Sequence, residues 1–324
     1  MTRTEALEGS GSLFSDLLGQ PQAVRLLQAA LERRRLAPAY LFTGPDGVGR
    51  RLGVLRFLEG VLAGVAGDPA VRRRLQAGNH PDLLWVEPTY SDKGQLIPAS
   101  RAPEQGLSRR TPPQLRLEQI REVSRFLSRR PVEAPGCLVV LEGVELMAEA
   151  AANALLKTLE EPGEGALLVL ITAAPQMLLT TIRSRCQQIP FTRLTPALLK
   201  QVLADRDAGA EPGDATELPE LAAGSPGALL QHRHQWRQLP EGLAAQLLDL
   251  SADPLAALEL ARVLCENLDV EQQLWLLSWW QLALWRRRQE SGPLRRIERL
   301  RQQLRAHVQP RLAWEVALLE LGGC

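Results

Sequence analysis

Short apolar runs alternate with longer amphipathic stretches from residue 14 to about residue 191. The runs at 138–141 and 167–171 are rich in branched apolar residues, which is typical of strands buried on both faces. The stretches between runs repeat apolar positions at three- and four-residue spacing and predict helices. This alternation predicts an α/β fold with a parallel sheet. The predicted strands are 39–43, 83–86, 138–141 and 167–171, and the predicted helices are 22–35, 51–64 and 148–159.

Strand patterns end after residue 194. Helices are predicted at 195–205 and 217–233, around a linker with Gly and Pro at 209–214, and the pattern from 239 onward is wholly helical. Residues 89–114 combine Pro, Gly and Ser with little apolar periodicity and predict a long exposed loop. We therefore predict three domains. They are an α/β domain at 1–192, a small helical domain at 193–238 and an all-helical domain at 239–324.

The composition is that of an ordinary globular chain. Hydrophobic residues make up 45% of the 324 residues and charged residues 23%, which excludes a disordered or fibrous protein. No apolar run approaches the roughly 20 residues of a membrane helix, and no signal segment opens the chain. We therefore expect a cytoplasmic protein. Only Lys93, Lys157 and Lys200 are lysines among the 38 cations, so an Arg at a motif's Lys position is weak evidence of lost chemistry.

The cysteines and histidines form no metal-binding pattern. The cysteines lie about 50 to 80 residues apart, without the C-x2-C spacing of a structural zinc or redox site. The histidines have no partner at ligand spacing. We predict no bound zinc or other metal. The residues concerned are Cys137, Cys186, Cys265, Cys324, His80, His232 and His234.

A glycine loop follows the first predicted strand and precedes a helix. Its spacing matches the phosphate loop G-x-x-x-x-G-K-[ST], in which Gly44, Gly47 and Gly49 would let backbone N–H groups face phosphates. Arg50 keeps the charge of the usual Lys, but Arg51 has no hydroxyl to hold Mg²⁺. The loop is a candidate site for ATP or ADP, with neither required, and the alternative is a plain strand-to-helix turn.

A second strand of a phosphate-loop ATPase ends in Asp-Glu, where Asp orients Mg²⁺ and Glu polarises the attacking water. Here the strand at 138–141 is followed by Glu142 and Gly143. Glu142 carries its charge one methylene further out than Asp, and Gly143 has no side chain to act as a base. Because Lys, metal ligand and base have all changed, we predict that this chain does not hydrolyse ATP.

Taken together, these motifs resemble the clamp-loader branch of the AAA+ family, whose bacterial members serve DNA polymerase III. The resemblance spans about residues 14–230, and its most specific part is the run at 153–162 with Ser-Arg-Cys downstream. The segments that carry it are Phe14-Ser-Asp-Leu-Leu-Gly-Gln20, the loop at 44–51, Gly78-Asn-His-Pro-Asp82, the run at 151–162 and Ser184-Arg185-Cys186.

The resemblance implies an AAA+ P-loop module at 1–192, a helical lid at 193–238 and a helical collar at 239–324. It also implies a pentameric ring with delta and tau/gamma subunits, which opens a sliding clamp and places it on primed DNA. ATP sites in such a ring lie between neighbours. The Arg of Ser-Arg-Cys reaches the adjacent ATP as an arginine finger supplied in trans. In this sequence that residue is Arg185.

The lid motif indicates which kind of subunit this is. Motor subunits carry Gly-Ser-x-Arg in the lid, whereas this chain reads Gly224-Ser-Pro-Gly227. The missing Arg favours a non-motor subunit. Two enzymes remain as alternatives, a tau/gamma-type motor ATPase that uses Arg50 and Glu142 as substitutes, and a P-loop nucleotide kinase. The segments at 153–162 and 184–186 oppose the kinase.

Arginine clusters and tryptophans have two interpretations each. The clusters could contact DNA phosphates, or they could be solvated helix ends, and a net charge of +1 argues against a chain-wide DNA footprint. The tryptophans recur at helical spacing, which indicates a core or a collar interface. The clusters are 33–35, 72–74, 129–130 and 286–288, and the tryptophans are Trp275, Trp279, Trp280, Trp285 and Trp314.

Overall fold

The computed structural model describes residues 13–92, 94–102, 112–205, 208–209 and 213–322. Two compact units make up the chain, residues 1–202 and residues 203–324. The three-domain division at 192 and 238 stays a prediction. Lys93, Cys324 and half of the predicted linker, residues 210–212 of 209–214, lie outside the described residues.

A parallel five-stranded sheet forms the centre of the first unit, with strand order β2-β5-β6-β1-β7. Four of its strands confirm the strands predicted from the apolar runs. Strand β7 was missed because only Ile189 in it is fully buried. The seven strands of the described chain are β1 (Ala39–Thr43), β2 (Leu83–Val86), β3 (Thr89–Asp92), β4 (Gln95–Pro98), β5 (Leu138–Glu142), β6 (Leu167–Thr172) and β7 (Gln187–Pro190).

Helices cover the sheet, as the alternating pattern predicts. The predicted helices at 22–35, 51–64 and 148–159 are confirmed to within a few residues. A hydrophobic core between the sheet and two of the helices contains Leu141, Leu155 and Leu170. The helices here are α1 (Pro21–Glu32), α2 (Arg50–Ala63), α3 (Pro69–Gln76), α4 (Leu117–Leu127), α5 (Glu149–Glu160), α6 (Thr180–Ser184) and α7 (Pro196–Ala204).

The prediction of one long loop at 89–114 is wrong in its first part. Strands β3 and β4 pair antiparallel there, with Thr89 opposite Pro98 and Asp92 opposite Gln95. The turn between them uses Gly94, whose φ of 84° suits glycine. Each strand spans only four residues, too few to give a periodic signal among the surrounding Pro and Gly residues. Residues 103–111 lie outside the described chain.

The second unit is helical where the structure describes it. The single helix predicted at 217–233 is wrong, because two helices occupy that stretch. Gly224 has a φ of 79°, and the Ser225 side chain accepts a hydrogen bond from Ala228 N at 3.2 Å as an N-cap. The helices here are α8 (Leu218–Leu221), α9 (Pro226–Arg237), α10 (Leu243–Leu248), α11 (Pro254–Asn267), α12 (Val270–Arg288), α13 (Ser291–Arg305) and α14 (Pro310–Gly322).

The predicted tryptophan core of the second unit is confirmed for four of the five residues. Trp275, Trp279, Trp280 and Trp314 are at most 8% exposed, whereas Trp285 is 47% exposed. The indole N–H of Trp280 donates to Leu247 O at 2.8 Å, which fixes its ring against α10. Among the described helices, none combines the length and hydropathy needed to cross a membrane.

Candidate functional site

The glycine loop joins β1 to α2 at the carboxyl edge of the sheet. Gly44, Gly47 and Gly49 have φ values of 145°, 73° and 103°, which L side chains rarely adopt. A Cβ atom at Gly44 would lie 2.3 Å from the carbonyl oxygen of Phe191, which follows β7. The close backbone crossing between loop and β7 therefore requires glycine, whether or not the loop holds a ligand.

Gln20 fixes the loop from behind and was not assigned a role from the sequence. Its side chain is 2% exposed. The amide nitrogen donates to Val48 O at 3.2 Å and Thr192 O at 2.8 Å, and the amide oxygen accepts from Thr192 N at 2.9 Å. The available sequence signal was that Gln20 ends the motif at 14–20, since the burial and the partners of its side chain are decided by the fold.

Arg50 stands at the Lys position of the motif, and its guanidinium pairs with Asp46 of the same loop. The Arg50 side chain is 8% exposed, whereas that of Asp46 is 85% exposed, so the guanidinium is enclosed while its partner lies in solvent. The charge that would reach a terminal phosphate is therefore satisfied by a carboxylate of its own loop.

Arg51, at the position of the metal-binding Ser/Thr, reaches the end of β5. Its Nη1 lies 3.4 Å from Oε2 of Glu142, and its Cζ lies 4.7 Å from the centroid of the Trp85 ring. The Trp85 indole N–H donates to the same Glu142 oxygen at 3.0 Å. The structure thus brings together Arg51 and Glu142, two of the predicted site residues. Trp85 joins them through an indole that no motif marks.

Gly143 follows Glu142 where a P-loop ATPase carries its catalytic base. Its φ is 64°, and a Cβ atom there would lie 2.8 Å from Cγ of Pro88. A glutamate at this position would therefore be strained and crowded. The backbone conformation and Pro88 together disfavour a side chain at this position.

The carboxyl edge does not fit a bound Mg²⁺. A magnesium site needs oxygen ligands in near-octahedral geometry, but the residue at the Ser/Thr position is a guanidinium that contacts Glu142. A cleft of about 350 Å³ does remain beside these residues, bordered by Glu87 and Ser100 next to the hairpin. The residue at the Ser/Thr position therefore offers no oxygen ligand to Mg²⁺.

Arg185 lies at the opposite, amino edge of the same sheet. It caps the C-terminus of α6, two residues before β7 begins. Strand β7 runs parallel to β1, with Tyr40 opposite Gln187. The five residues of β1, about 16 Å at about 3.3 Å per residue, separate this edge from the chain's own glycine loop. Arg185 therefore cannot reach that loop.

The Ser-Arg-Cys motif has its first two residues exposed and its cysteine buried. The Arg185 side chain is 37% exposed, whereas Cys186 is buried in the core with Ile182 and Leu155. Burial raises the pKa of the Cys186 thiol to about 12, so this cysteine stays protonated. The thiol anchors the segment by packing.

Two acceptors hold the Arg185 guanidinium. Nη1 donates to Thr181 O at 3.1 Å, and Nη2 donates to Oε1 of Glu160 at 2.8 Å. Glu160 is the last residue of α5 and belongs to the run at 153–162. The two most specific motifs of the sequence therefore meet in one ion pair.

Asp82 explains the motif at 78–82. Its carboxylate is 3% exposed and accepts backbone hydrogen bonds from Val132, Glu133 and Ala134 at 2.7 to 2.8 Å. Burial acts to raise its pKa, but these three donors outweigh it and hold the pKa below the ordinary value. Asp82 thus fixes the turn that leads into β5, a structural role at the amino edge.

No cluster of potential metal ligands occurs in the described part of the chain, and the prediction of no zinc stays a prediction. Between α2 and α3, fully buried Glu59 accepts from Arg56 at 3.2 Å and from Arg72 at 2.8 and 3.0 Å. His232 accepts from the Trp275 indole at 3.0 Å, and burial lowers its pKa. These groups are engaged in structural hydrogen bonds.

Comparison with known families gives two adjacent matches. A model described as DNA polymerase III, delta subunit, matches residues 19–195. A model described as Cyanobacterial DNA polymerase III delta prime, C-terminal domain, matches residues 197–321. Their junction falls close to the boundary between the two compact units.

Two curated relatives carry the same name. DNA polymerase III subunit delta' of Bacillus subtilis is 34% identical over 193 residues, which are 58% of this chain and 52% of that protein. The delta' subunit of Pseudomonas aeruginosa is 33% identical over 241 residues, 69% of this chain and 66% of that protein. The chain thus matches about half to two thirds of the length of these relatives. Tau/gamma subunits match as well.

A solved structure supports the fold alone. The DNA polymerase III gamma subunit-related protein of Thermotoga maritima superposes with a TM-score of 0.53 at 18% identity, over 93% of this chain and 98% of that one. A parallel sheet with a glycine loop after β1, followed by a helical unit, defines an AAA+ P-loop module with helical domains. The family matches identify it further. The chain belongs to the delta-prime family of DNA polymerase III clamp-loader subunits.

Proposed function

We propose that this chain is a non-hydrolysing clamp-loader subunit that donates Arg185 to the ATP site of a neighbouring subunit. It works in the cytoplasm as part of the DNA polymerase III holoenzyme. Its partners are delta and tau/gamma subunits in a pentameric ring, which opens the sliding clamp and places it on primed DNA. The observation that carries this proposal is that Arg50 is enclosed beside its own glycine loop, whereas Arg185 is exposed at the opposite edge of the sheet.

The contacts at the carboxyl edge support the absence of hydrolysis. Arg50 pairs with Asp46 and Arg51 contacts Glu142, so both cations of the loop meet carboxylates of the same edge. Gly143 supplies no base, and its conformation disfavours one. Nucleotide in the loop would then be at most a static ligand, and neither ATP nor ADP is required.

The position of Arg185 supports action in trans. An arginine finger stabilises the charge that develops on the transferred phosphoryl group and is worth about 10³ to 10⁵ in rate. Arg185 faces away from the chain's own loop, at the other edge of the sheet, and is exposed. A planar, permanently charged guanidinium in that place suits a phosphate held by another subunit.

The proposal is tested by reconstituting the loader with wild-type chain or with Arg185→Ala and measuring single-turnover ATP hydrolysis in the presence of clamp and primed DNA. We expect the ring to assemble and one kinetic class of sites to lose about 10³-fold in rate. Arg183→Ala, on the same short helix, serves as the matched control for helix integrity. Unchanged hydrolysis by the Arg185→Ala loader would remove the finger from the mechanism.

A further inference from the structure

The contact between Glu160 and Arg185 has a consequence beyond the finger itself. We infer that Glu160 is a positioning residue, which holds the Arg185 guanidinium in the orientation that the neighbouring ATP site requires. This inference rests on the proposed role of Arg185.

Both partners of the ion pair are carried by elements fixed to one core. Glu160 ends α5, whose preceding residues Thr158 and Leu159 are buried. Thr158 is also hydrogen-bonded to Ser124 of α4 at 2.9 Å. Arg185 stands between Ser184 and Cys186, and Cys186 packs in the same hydrophobic core as Leu159. The two backbones therefore cannot drift apart without disturbing the core.

Stability alone does not explain the pair. Its side chains are 37% and 52% exposed, and exposed ion pairs contribute little to the free energy of unfolding. The ion pair has a second effect, on the orientation of the guanidinium. An arginine without such a partner samples many rotamers, and this freedom must be lost when it binds phosphate. Holding the fork in advance removes that loss from the catalytic step.

The remaining donors fit the role. A guanidinium has five N–H groups, and the described structure uses one of them for Thr181 O and another for Glu160. Up to three N–H groups are left to face anionic oxygens. Glu160 thus orients the group without exhausting it, whereas Arg50 is buried against Asp46 of its own loop.

The experiment compares reconstituted loaders that carry Glu160→Ala, Glu161→Ala, Arg185→Ala or Glu160→Ala with Arg185→Ala. Glu161, the next residue, is also exposed and is the matched control. We expect Glu160→Ala to lower kcat for ATP about three- to tenfold, less than the 10²-fold that a full 1 Å misplacement costs. KM for ATP and the thermal midpoint of the isolated chain should stay near wild type. Glu161→Ala should leave kcat unchanged.

The double variant separates positioning from other effects. If Glu160 acts only through Arg185, adding Glu160→Ala to Arg185→Ala changes kcat no further. A loss of kcat that persists in the Arg185→Ala background would overturn the inference, as would equal rates for Glu160→Ala and Glu161→Ala, or a faster Glu160→Ala loader. If Arg185→Ala itself had no effect, the proposed function would fail instead.

Glu160→Gln refines the result. Its amide oxygen can accept the same hydrogen bond from Nη2 but carries no charge. An intermediate kcat, between wild type and Glu160→Ala, is the expected rescue. A contradicting result has two parts: the Glu160→Gln loader is as slow as Glu160→Ala, and Glu160→Ala still lowers kcat in the Arg185→Ala background. Together they would indicate that the charge of Glu160 acts independently of the orientation of Arg185.

Discussion

The two edges of the central sheet both pair arginines with carboxylates, but they differ in how deeply the guanidinium is enclosed. At the carboxyl edge, Arg50 and Arg51 contact Asp46 and Glu142, which belong to the same edge. At the amino edge, Arg185 lies exposed, held by Glu160 and a backbone carbonyl. Each of these arginines meets a carboxylate of its own edge, but the Arg50 side chain is 8% exposed, whereas that of Arg185 is 37% exposed.

This difference separates geometry from chemistry in a phosphate loop. The glycines are needed because the loop crosses the backbone of Phe191 closely, whatever it binds. The reactive side chains face no such steric requirement, so they can be lost while the loop shape stays. A glycine pattern therefore indicates a fold more reliably than it indicates an activity.

Breaking the geometry of the carboxyl edge should have the largest effect on stability. Gly44→Ala places a Cβ atom 2.3 Å from Phe191 O in a backbone conformation that disfavours L residues. We expect a loss of about 3 to 5 kcal/mol in the free energy of unfolding, measured by denaturant titration. Gly78→Ala is the control, since its φ of 68° is also positive but its Cβ has open space. It should lose only about 1 to 2 kcal/mol. Equal losses for the two variants would show that the Phe191 crossing is unimportant.

Weakening the amino edge should have a smaller effect that depends on pH. Asp82→Asn keeps an acceptor but removes the charge that three backbone N–H groups stabilise. We expect a loss of about 2 kcal/mol at pH 7. The folded pKa of Asp82 lies below its unfolded value, which is about 3.9. The extra unfolding free energy of the wild type over Asp82→Asn is therefore fully present above the unfolded pKa. It is lost as the pH falls through the folded pKa.

Denaturant titrations from pH 7 down to pH 3 check this prediction. The gap in unfolding free energy between wild type and Asp82→Asn should narrow at the acid end. Asp68→Asn is the control, because Asn serves nearly as well as Asp at the N-cap of α3. A gap that stays constant with pH would contradict the assigned role of the carboxylate.

Removing the self-paired charge at the carboxyl edge should have the smallest effect. Arg51 is 59% exposed and lies 3.4 Å from Glu142, so Arg51→Ala should change the free energy of unfolding by less than about 1 kcal/mol. The change should shrink further at high salt, because salt screens exposed pairs. A loss in the free energy of unfolding above about 2 kcal/mol, measured in the same titrations, would contradict this prediction. It would mean that the contact of Arg51 with Trp85 and Glu142 is important for stability.

Most strands of the sheet and the family could be predicted from the sequence, but few of the contacts between side chains could. The runs that form β5 and β6 are buried on both faces, so a continuous series of branched apolar residues identified them. Strand β7 gave no such signal, because its first two residues, Gln187 and Gln188, are polar and exposed. The hairpin strands gave none because each spans only four residues. The pairing of Arg51 with Glu142 joins residues 91 positions apart, and no local pattern reports such a contact.

The candidate site divides in the same way. Glycine spacing and a strand followed by a helix indicated the loop, because these are local properties. The role of Asp82 and the burial of Cys186 depend on which segments pack together, which the fold decides. The roles of Arg185 and of the loop residues in ATP chemistry stay predictions.

The central claim is tested most directly by giving Mg²⁺-ATP to the purified isolated chain and measuring binding and turnover in the same tube. Glu142→Gln serves as the matched variant, because any genuine turnover by this site would depend on that carboxylate. We expect no turnover above the level of the variant, and any nucleotide affinity should be the same with and without Mg²⁺. Turnover that Glu142→Gln abolishes would contradict the account and support the tau/gamma-type motor instead.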